Sequence, residues 1–359
     1  MIEALVPRRA PPAAFDALNR RDLPRATVLL FVIVAAVLTG CWNRQVTGRV
    51  DPSDNFETVR TYVQGWLSEA ASDEPLISAS TLKDTILDDW SHQGGKYAIV
   101  SVRKPDDDRS AGQIPHAVNV PWVDIVSDES LARLPSDKTL LVYCYYGHSS
   151  MLCCTILNLL GYKSRSLSFG MMGWNLDALV KPPWDQQADH EVELTPNTPE
   201  GPYPPPAMIG RNRDARSVIK QLARGYLSGE GSPVITSADV RTILDAWDQK
   251  KAEYQIIDVR SKMKYAAGHV PHSINIPWAE IAAIDHLKQL DPKRIAIVYS
   301  ENGQTGQLAT TVLSMFGYHA VDMKFGMMDW NQRYVDRSER WNGAAGYPVE
   351  VTQQGPGTR

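Results

Sequence analysis

The strongest constraint on this chain is that it repeats itself. G-Q-I-P-H-A-V-N-V-P-W at residues 112–122 matches G-H-V-P-H-S-I-N-I-P-W at 268–278, and F-G-M-M-G-W-N at 169–175 matches F-G-M-M-D-W-N at 325–331, at an offset of about 156 residues. Upstream, T-I-L-D-D-W beginning at Thr85 pairs with T-I-L-D-A-W beginning at Thr242. A period this long signals duplicated domains rather than a solenoid of short units. The 359 residues are enough for two domains of ordinary size.

Both copies read as the same order of elements. An amphipathic helix ends near Leu67 or Leu227, and a second opens at Ser80 or Ser237 and runs to Trp90 or Trp247. Short apolar runs at 97–102 and 254–259, the V-N-V-P and I-N-I-P segments, and the runs at 139–143 and 294–299 predict strands. A helix over 149–160 or 305–316 follows, stopped by Gly161 or Gly317. A last strand lies near 164–167 or 320–323. Short apolar strands alternating with helices predict an α/β fold: two domains, each with a central parallel sheet flanked by helices. The expected domains span 55–180 and 213–340. The proline-rich stretch 181–212 reads as an extended, semi-rigid linker, and the glycine-rich tail 341–359 as loose.

The formal net charge is −4 and no long basic run occurs, which argues against a nucleic-acid partner. At the start, Arg20, Arg21 and Arg25 precede a short apolar run over 26–39, and L-T-G-C follows at 38–41. The run is shorter than the roughly 20 residues that span a bilayer and has the layout of an export signal. L-T-G-C resembles the bacterial lipobox, whose cysteine is acylated. The segment 1–41 is therefore expected to be a lipoprotein-type signal, with Cys41 lipidated and the chain anchored to the cell envelope on the periplasmic side. An uncleaved membrane helix is the alternative, and R-R-D-L at Arg20 is a weak twin-arginine signal.

The remaining cysteines are Cys144, Cys153 and Cys154, too few and too clustered for a disulfide framework. No His/Cys cluster has metal-ligand spacing, so no metal site is expected. Cys153 and Cys154 fall inside the helix after the loop and read as small core residues. Cys144 differs. In V-Y-C-Y-Y-G-H-S-S-M at 142–151, a strand delivers it into a short loop just before a helix. In an open parallel sheet, ligands bind beyond the carboxyl ends of the strands. Successive loop N–H groups and the helix N-terminus favour a thiolate there. Tyr145, Tyr146, Gly147, His148, Ser149 and Ser150 complete the candidate loop. Gly147 is expected to permit its turn, Ser149 and Ser150 to offer hydroxyls and a helix cap, and His148 to face solvent. His116 and His272 recur at matched positions and read as loop-packing residues, and Trp174 and Trp330 as core.

These motifs resemble the rhodanese family. I-I-D-V-R at 256–260 followed by G-H-V-P-H-S-I-N-I-P, I-V-S-V-R at 99–103 followed by G-Q-I-P-H-A-V-N-V-P, the C-Y-Y-G-H-S-S loop and the F-G-M-M-x-W turn carry the resemblance. It covers roughly 76–178 and 233–335. It implies sulfurtransferase activity without a cofactor. Cys144 would take sulfur from a small sulfur-containing anion such as thiosulfate, or from a persulfide, and pass it to a thiol or protein acceptor, with Arg103 in support.

The copies depart from the family pattern in different places. Aligning Gly147 with Gly303 puts Ser300 opposite Cys144, and a hydroxyl cannot carry a persulfide, so the second copy is expected to be inert. In the first copy Ser101 replaces the aspartate that the second keeps as Asp258, with Asp106, Asp107 and Asp108 as candidates to compensate. Ser149 stands where the family commonly has an arginine. A phosphatase of the cell-cycle type shares the fold but needs an arginine six residues after the cysteine, where Ser150 sits. The alternative to an enzyme is a tethered sulfur carrier or scaffold for a periplasmic redox partner.

Overall fold

Two parallel sheets of identical topology organise the computed structural model, which describes residues 55–351 except 73, 186–187, 209–213 and 229–232. The expected signal segment, with Cys41, lies outside the described residues. In the first sheet β1 (Leu76–Ile77), β2 (Tyr97–Ser101), β3 (Ala117–Asn119), β4 (Thr139–Tyr143) and β5 (Lys163–Leu167) lie in the order β1-β5-β4-β2-β3. In the second, β6 (Val234–Ile235), β7 (Tyr254–Asp258), β8 (Ser273–Asn275), β9 (Ile295–Tyr299) and β10 (Ala320–Met323) lie in the order β6-β10-β9-β7-β8. The central strands β4 and β9 are buried from their second residue on. This is why both read as unbroken apolar runs: a parallel sheet is covered on both faces. The chain turns back between β4 and β2, so the residues after these two strands share one edge of the sheet.

The helices that shape the site are α1 (Asn55–Ala70), α2 (Pro105–Ala111), α3 (His148–Leu159), α4 (Gly170–Trp174), α5 (Ala215–Leu227), α6 (Lys262–Ala267), α7 (Gln304–Met315) and α8 (Gly326–Asn331). Helices α3 and α7 each lie on their own sheet and against each other, so nearly every residue of both is buried. The helix expected up to Trp90 or Trp247 breaks just before the tryptophan in both copies. Each indole then stacks on a histidine: Trp90 on His116 at 4.6 Å and Trp247 on His272 at 4.8 Å. Both histidines have φ of 64°, so the recurring His fixes a loop rather than facing a site.

The copies also exchange their flanking segments. The apolar face of α1 (Phe56, Val59, Val63, Leu67) joins a core made largely of second-copy residues such as Ile281, Leu313 and Phe316. Arg60 and Gln64 donate to the carbonyls of Ala282 and Ala279. Conversely, α5 places Ala223 and Leu227 in the first copy's core, and its Lys220 and Arg224 pair with Asp128.

The same exchange occurs at the other end of each copy. The linker covers the second copy. The N–H of His190 donates to Trp330, Glu193 bridges His269, and the Glu193 carboxylate accepts the His272 N–H at 2.9 Å. The tail covers the first copy in the same way. The N–H of Tyr347 donates to Trp174, Glu350 bridges Gln113, and the Glu350 carboxylate accepts the His116 N–H at 3.2 Å. Residues 341–351, expected to be loose, are therefore docked. The reason is a backbone ladder together with the Trp174 Nε1–H bond to the Pro348 carbonyl, at 3.0 Å.

Candidate active site

Cys144 follows the last residue of β4 and sits beneath the loop that leads into α3. Its Sγ accepts the Gly147 N–H at 3.1 Å and lies 3.4 Å from the Ser150 hydroxyl. Both donors face the sulfur, and the N-terminus of α3 opens within the same loop. The loop turns through Gly147 at φ 99°, a left-handed conformation that glycine adopts without strain. A Cβ at Gly147 would also strike the Gln304 side chain of the second copy. Helix α3 starts at His148 with Gly147 at its N-cap and no side-chain cap. The expected serine cap is thus corrected. Ser150 instead reaches Cys144 and the Ser166 hydroxyl, the latter at 2.8 Å, and Ser149 is half-buried on the first turn.

The loop is held from below by the F-G-M-M turn. The amides of Met171 and Met172 in α4 donate to the carbonyls of Cys144 and Tyr145, each at 2.9 Å. Arg103, fully buried just past β2, donates from Nε to Asp108 Oδ1 at 2.7 Å and from its terminal nitrogens to the carbonyls of Ala178 and Gly112. Its guanidinium carbon lies 5.7 Å from the Tyr145 ring centroid. Of the three aspartates able to replace the missing charge at Ser101, Asp108 does so. Asp107 accepts the Tyr145 hydroxyl, and Asp106 pairs with Arg109 in solvent.

His148 is the clearest departure from expectation. Instead of facing solvent it is 5% exposed and points into the second copy. Its Nε2 accepts the Phe325 N–H at 3.2 Å and lies 3.6 Å from Asp322 Oδ2. Burial, reinforced by nearby Lys324, pushes its pKa down to about 3, so it is a neutral packing group at neutral pH. The cause is the pseudo-symmetric packing of α3 on α7, which turns the first residue of each helix toward the partner loop: His148 abuts Gly303 as Gln304 abuts Gly147.

The second loop keeps the scaffold and inverts the chemistry. Gly303 N–H donates to Ser300 Oγ at 3.1 Å, and Met327 and Met328 of α8 hold the carbonyls of Ser300 and Glu301, as in the first copy. Gly306 replaces Ser150, and the space its missing side chain leaves is filled by the Asp322 carboxyl group, fully buried where the first copy has Ser166. Glu301 stands beside Ser300, its pKa pushed up to about 7 by burial against the opposing pull of Arg260 and Lys264. Two acids and a hydroxyl occupy the place of a thiol cradled by donors.

Cys153 and Cys154 are fully buried free thiols within α3, and burial raises both, Cys154 to about 12. Cys144 itself is 2% exposed, and Tyr145 and Tyr146, which follow it in the loop, are half-buried. The second copy also contributes to this loop, a feature with no local signal in the sequence. Phe325 meets Tyr146 edge-on at 5.5 Å, and Lys324 lies 4.4 Å from the centre of the Tyr146 ring. The F-G-M-M repeat marks Phe325, but nothing in one sequence shows that it faces the other copy's loop.

The sequence matches the Rhodanese-like domain family over residues 80–177 and 241–333, together more than half of the chain. Among curated proteins, it is 31% identical over 128 residues to the adenylyltransferase and sulfurtransferase uba4 of Ogataea parapolymorpha, covering 34% of this chain and 32% of that protein. It is 32% identical over 91 residues to the thiosulfate sulfurtransferase GlpE of Pseudoalteromonas translucida, covering 25% of this chain and 85% of that one. The chain thus spans about a third of the length of the adenylyltransferase-sulfurtransferase it matches. Among solved structures, the thiosulfate sulfurtransferase of Pseudomonas aeruginosa aligns over 81% of this chain and 49% of its own, at 17% identity and a TM-score of 0.29. With two family matches, each on one of the two parallel sheets, the chain belongs to the rhodanese family.

Proposed function

We propose that the protein is a sulfurtransferase that moves sulfane sulfur from thiosulfate or a persulfide to a thiophilic acceptor through a persulfide on Cys144. One observation carries the reading: the Cys144 Sγ receives the Gly147 N–H at 3.1 Å in a loop whose counterpart holds a serine beside two acids. The Cys144 thiolate attacks the outer sulfur of thiosulfate. A new S–S bond forms, the old one breaks, and sulfite leaves with its electron pair. The loop N–H groups then face the terminal sulfur anion. An acceptor such as cyanide or a thiolate attacks that sulfur and restores the Cys144 thiolate, so the cycle needs no external oxidant or reductant.

Steady-state kinetics with thiosulfate and cyanide test this. Cys144→Ser is expected to abolish turnover and Ser300→Ala to leave it largely intact. Wild-type turnover in Cys144→Ser contradicts the mechanism. The 2% exposure of Cys144 favours a second reading, a sulfur carrier that exchanges with a docked protein partner. A Cys144 persulfide that forms but is never passed to a small acceptor supports that one.

We also propose that the chain is exported and held at the cell envelope, facing the periplasm, by lipid on Cys41. The support is L-T-G-C after a short apolar run. Fractionation of wild type and Cys41→Ala tests it, and an unchanged membrane fraction that retains residues 1–40 contradicts it.

A further inference from the structure

A loop that takes sulfur from a dianion needs positive charge, and this loop has none of its own. C-Y-Y-G-H-S-S contains no lysine or arginine, and His148 is buried and neutral. Arg103 is fully buried, and its three donor nitrogens are taken by Asp108, Ala178 and Gly112. Two other cations stand at the loop. Lys181, the first residue after the first copy, places its Nζ 4.5 Å from the Tyr145 ring centroid. Lys324, from the second copy, places its Nζ 4.4 Å from the Tyr146 ring and 5.0 Å from the Phe325 ring. Tyr145 and Tyr146 are the two residues that follow Cys144, so both ammonium groups lie against the loop that carries the thiol.

Neither lysine has an ion-pair partner among the described residues. Asp329, whose charge acts on Lys324, already accepts from Trp184 Nε1 and the Ser237 hydroxyl. Partial burial holds Lys324 below its ordinary pKa, against the opposing pull of Asp329 and with a smaller push from Lys181. Two ammonium groups without an ion-pair partner, Lys324 half-buried and Lys181 exposed, each resting on an aromatic face, form a ready site for a small anion. The position matching Lys324 in the first copy is Ser168, so this charge is present only on the side that faces the cysteine. At the other loop the nearby lysine, Lys264, is already neutralised by Glu301, Asp336 and Glu339.

We propose that Lys181 and Lys324 form an anion-recruiting mouth over Cys144, selecting a small oxyanionic sulfur donor, with the second copy supplying half of the binding charge. This rests on the sulfur-transfer reading but is tested apart from it. Iodoacetate and iodoacetamide alkylate a thiolate by the same step, forming an S–C bond as iodide leaves with its electron pair, and differ in carrying or lacking a carboxylate. Their relative rates at Cys144, followed by peptide mass, report the local potential. In Lys181→Gln/Lys324→Gln the iodoacetate rate is expected to fall about tenfold relative to iodoacetamide, and the KM for thiosulfate to rise by a similar factor with kcat little changed. Lys220→Gln removes one charge from the Asp128 pair on α5 and is expected to change neither. An unchanged reagent ratio in the double variant overturns the proposal, as does an equal fall in Lys220→Gln. A falling ratio in a protein whose wild type moves no sulfur upholds the mouth and contradicts the sulfur-transfer reading alone.

Discussion

Arg103 and Asp108 form a buried ion pair five residues apart, whereas the second copy pairs Arg260 with Asp258, two residues away. The two arrangements serve the same end, an arginine fixed just past β2 or β7. Tyr145 in the first copy, and Glu301 in the second, lie against that guanidinium. Asp108→Ala leaves a fully buried guanidinium without its counter-charge, at a cost of about 3–5 kcal/mol. A clear fall in the thermal midpoint is expected, partly recovered by adding Ser101→Asp, which rebuilds the second copy's geometry. If Asp108→Ala melts like wild type, Arg103 does not depend on that pair.

The exchanged flanks make each half incomplete. Residues 55–208 alone would expose the α1 side chains Phe56, Val59, Val63 and Leu67, which a second-copy core covers. At about 1.5–3 kcal/mol for each large apolar side chain, the loss rivals the stability of a whole domain. The isolated half is expected to show no cooperative thermal transition, and co-expression with residues 209–359 to restore one. Cooperative unfolding of the isolated half, seen by calorimetry, contradicts the interlocked description.

The docked tail reaches the site through α4. Ala345 and Tyr347 donate to the carbonyls of Gly173 and Trp174, in the same helix whose Met171 and Met172 amides hold the Cys144 loop. Truncation after Arg340 is expected to speed hydrogen exchange at the Met171, Met172 and Gly147 amides and to lower sulfur transfer several-fold. Unchanged exchange at these amides separates the tail from the loop.

Glu301 carries a pH signature. Its folded pKa of about 7 lies above its ordinary 4.5, so the folded state holds the proton more tightly than the unfolded state. Its contribution is complete below the unfolded value and is lost as pH rises through the folded one. From pH 5 to pH 8 that loss is on the order of 2 kcal/mol. Glu301→Gln removes the titration, so its stability relative to wild type is expected to increase over this interval. Thermal midpoints at the two pH values measure it, and a pH-independent difference contradicts the assignment.

Much of this was legible in the chain. The repeat, the central strands and the cysteine at a strand end follow from apolar runs and motif order, which local physics dictates. The exchange of flanks does not, because the periodicity of α1 says that one face is covered but not by which copy. A weaker signal was present: Trp184 with V-E-L at 192–194 and Trp341 with V-E-V at 349–351 repeat in step, and they mark the two straps. The short helices α2 and α6 were missed because P-D-D-D-R-S-A and K-M-K-Y-A-A are too short to show an apolar period. The burial of His148 and the position of Lys324 are products of the α3–α7 packing, and no local pattern encodes them.

Cys144 alone is expected to hold the sulfur in transit. Incubating the protein with thiosulfate, blocking thiols and mapping peptides by mass tests it directly. One added sulfur atom is expected on the Cys144 peptide in wild type and in Ser300→Ala, none on Cys153 or Cys154, and none anywhere in Cys144→Ser. Sulfur retained on the protein in Cys144→Ser, or carried by Cys153 or Cys154 in wild type, would contradict it.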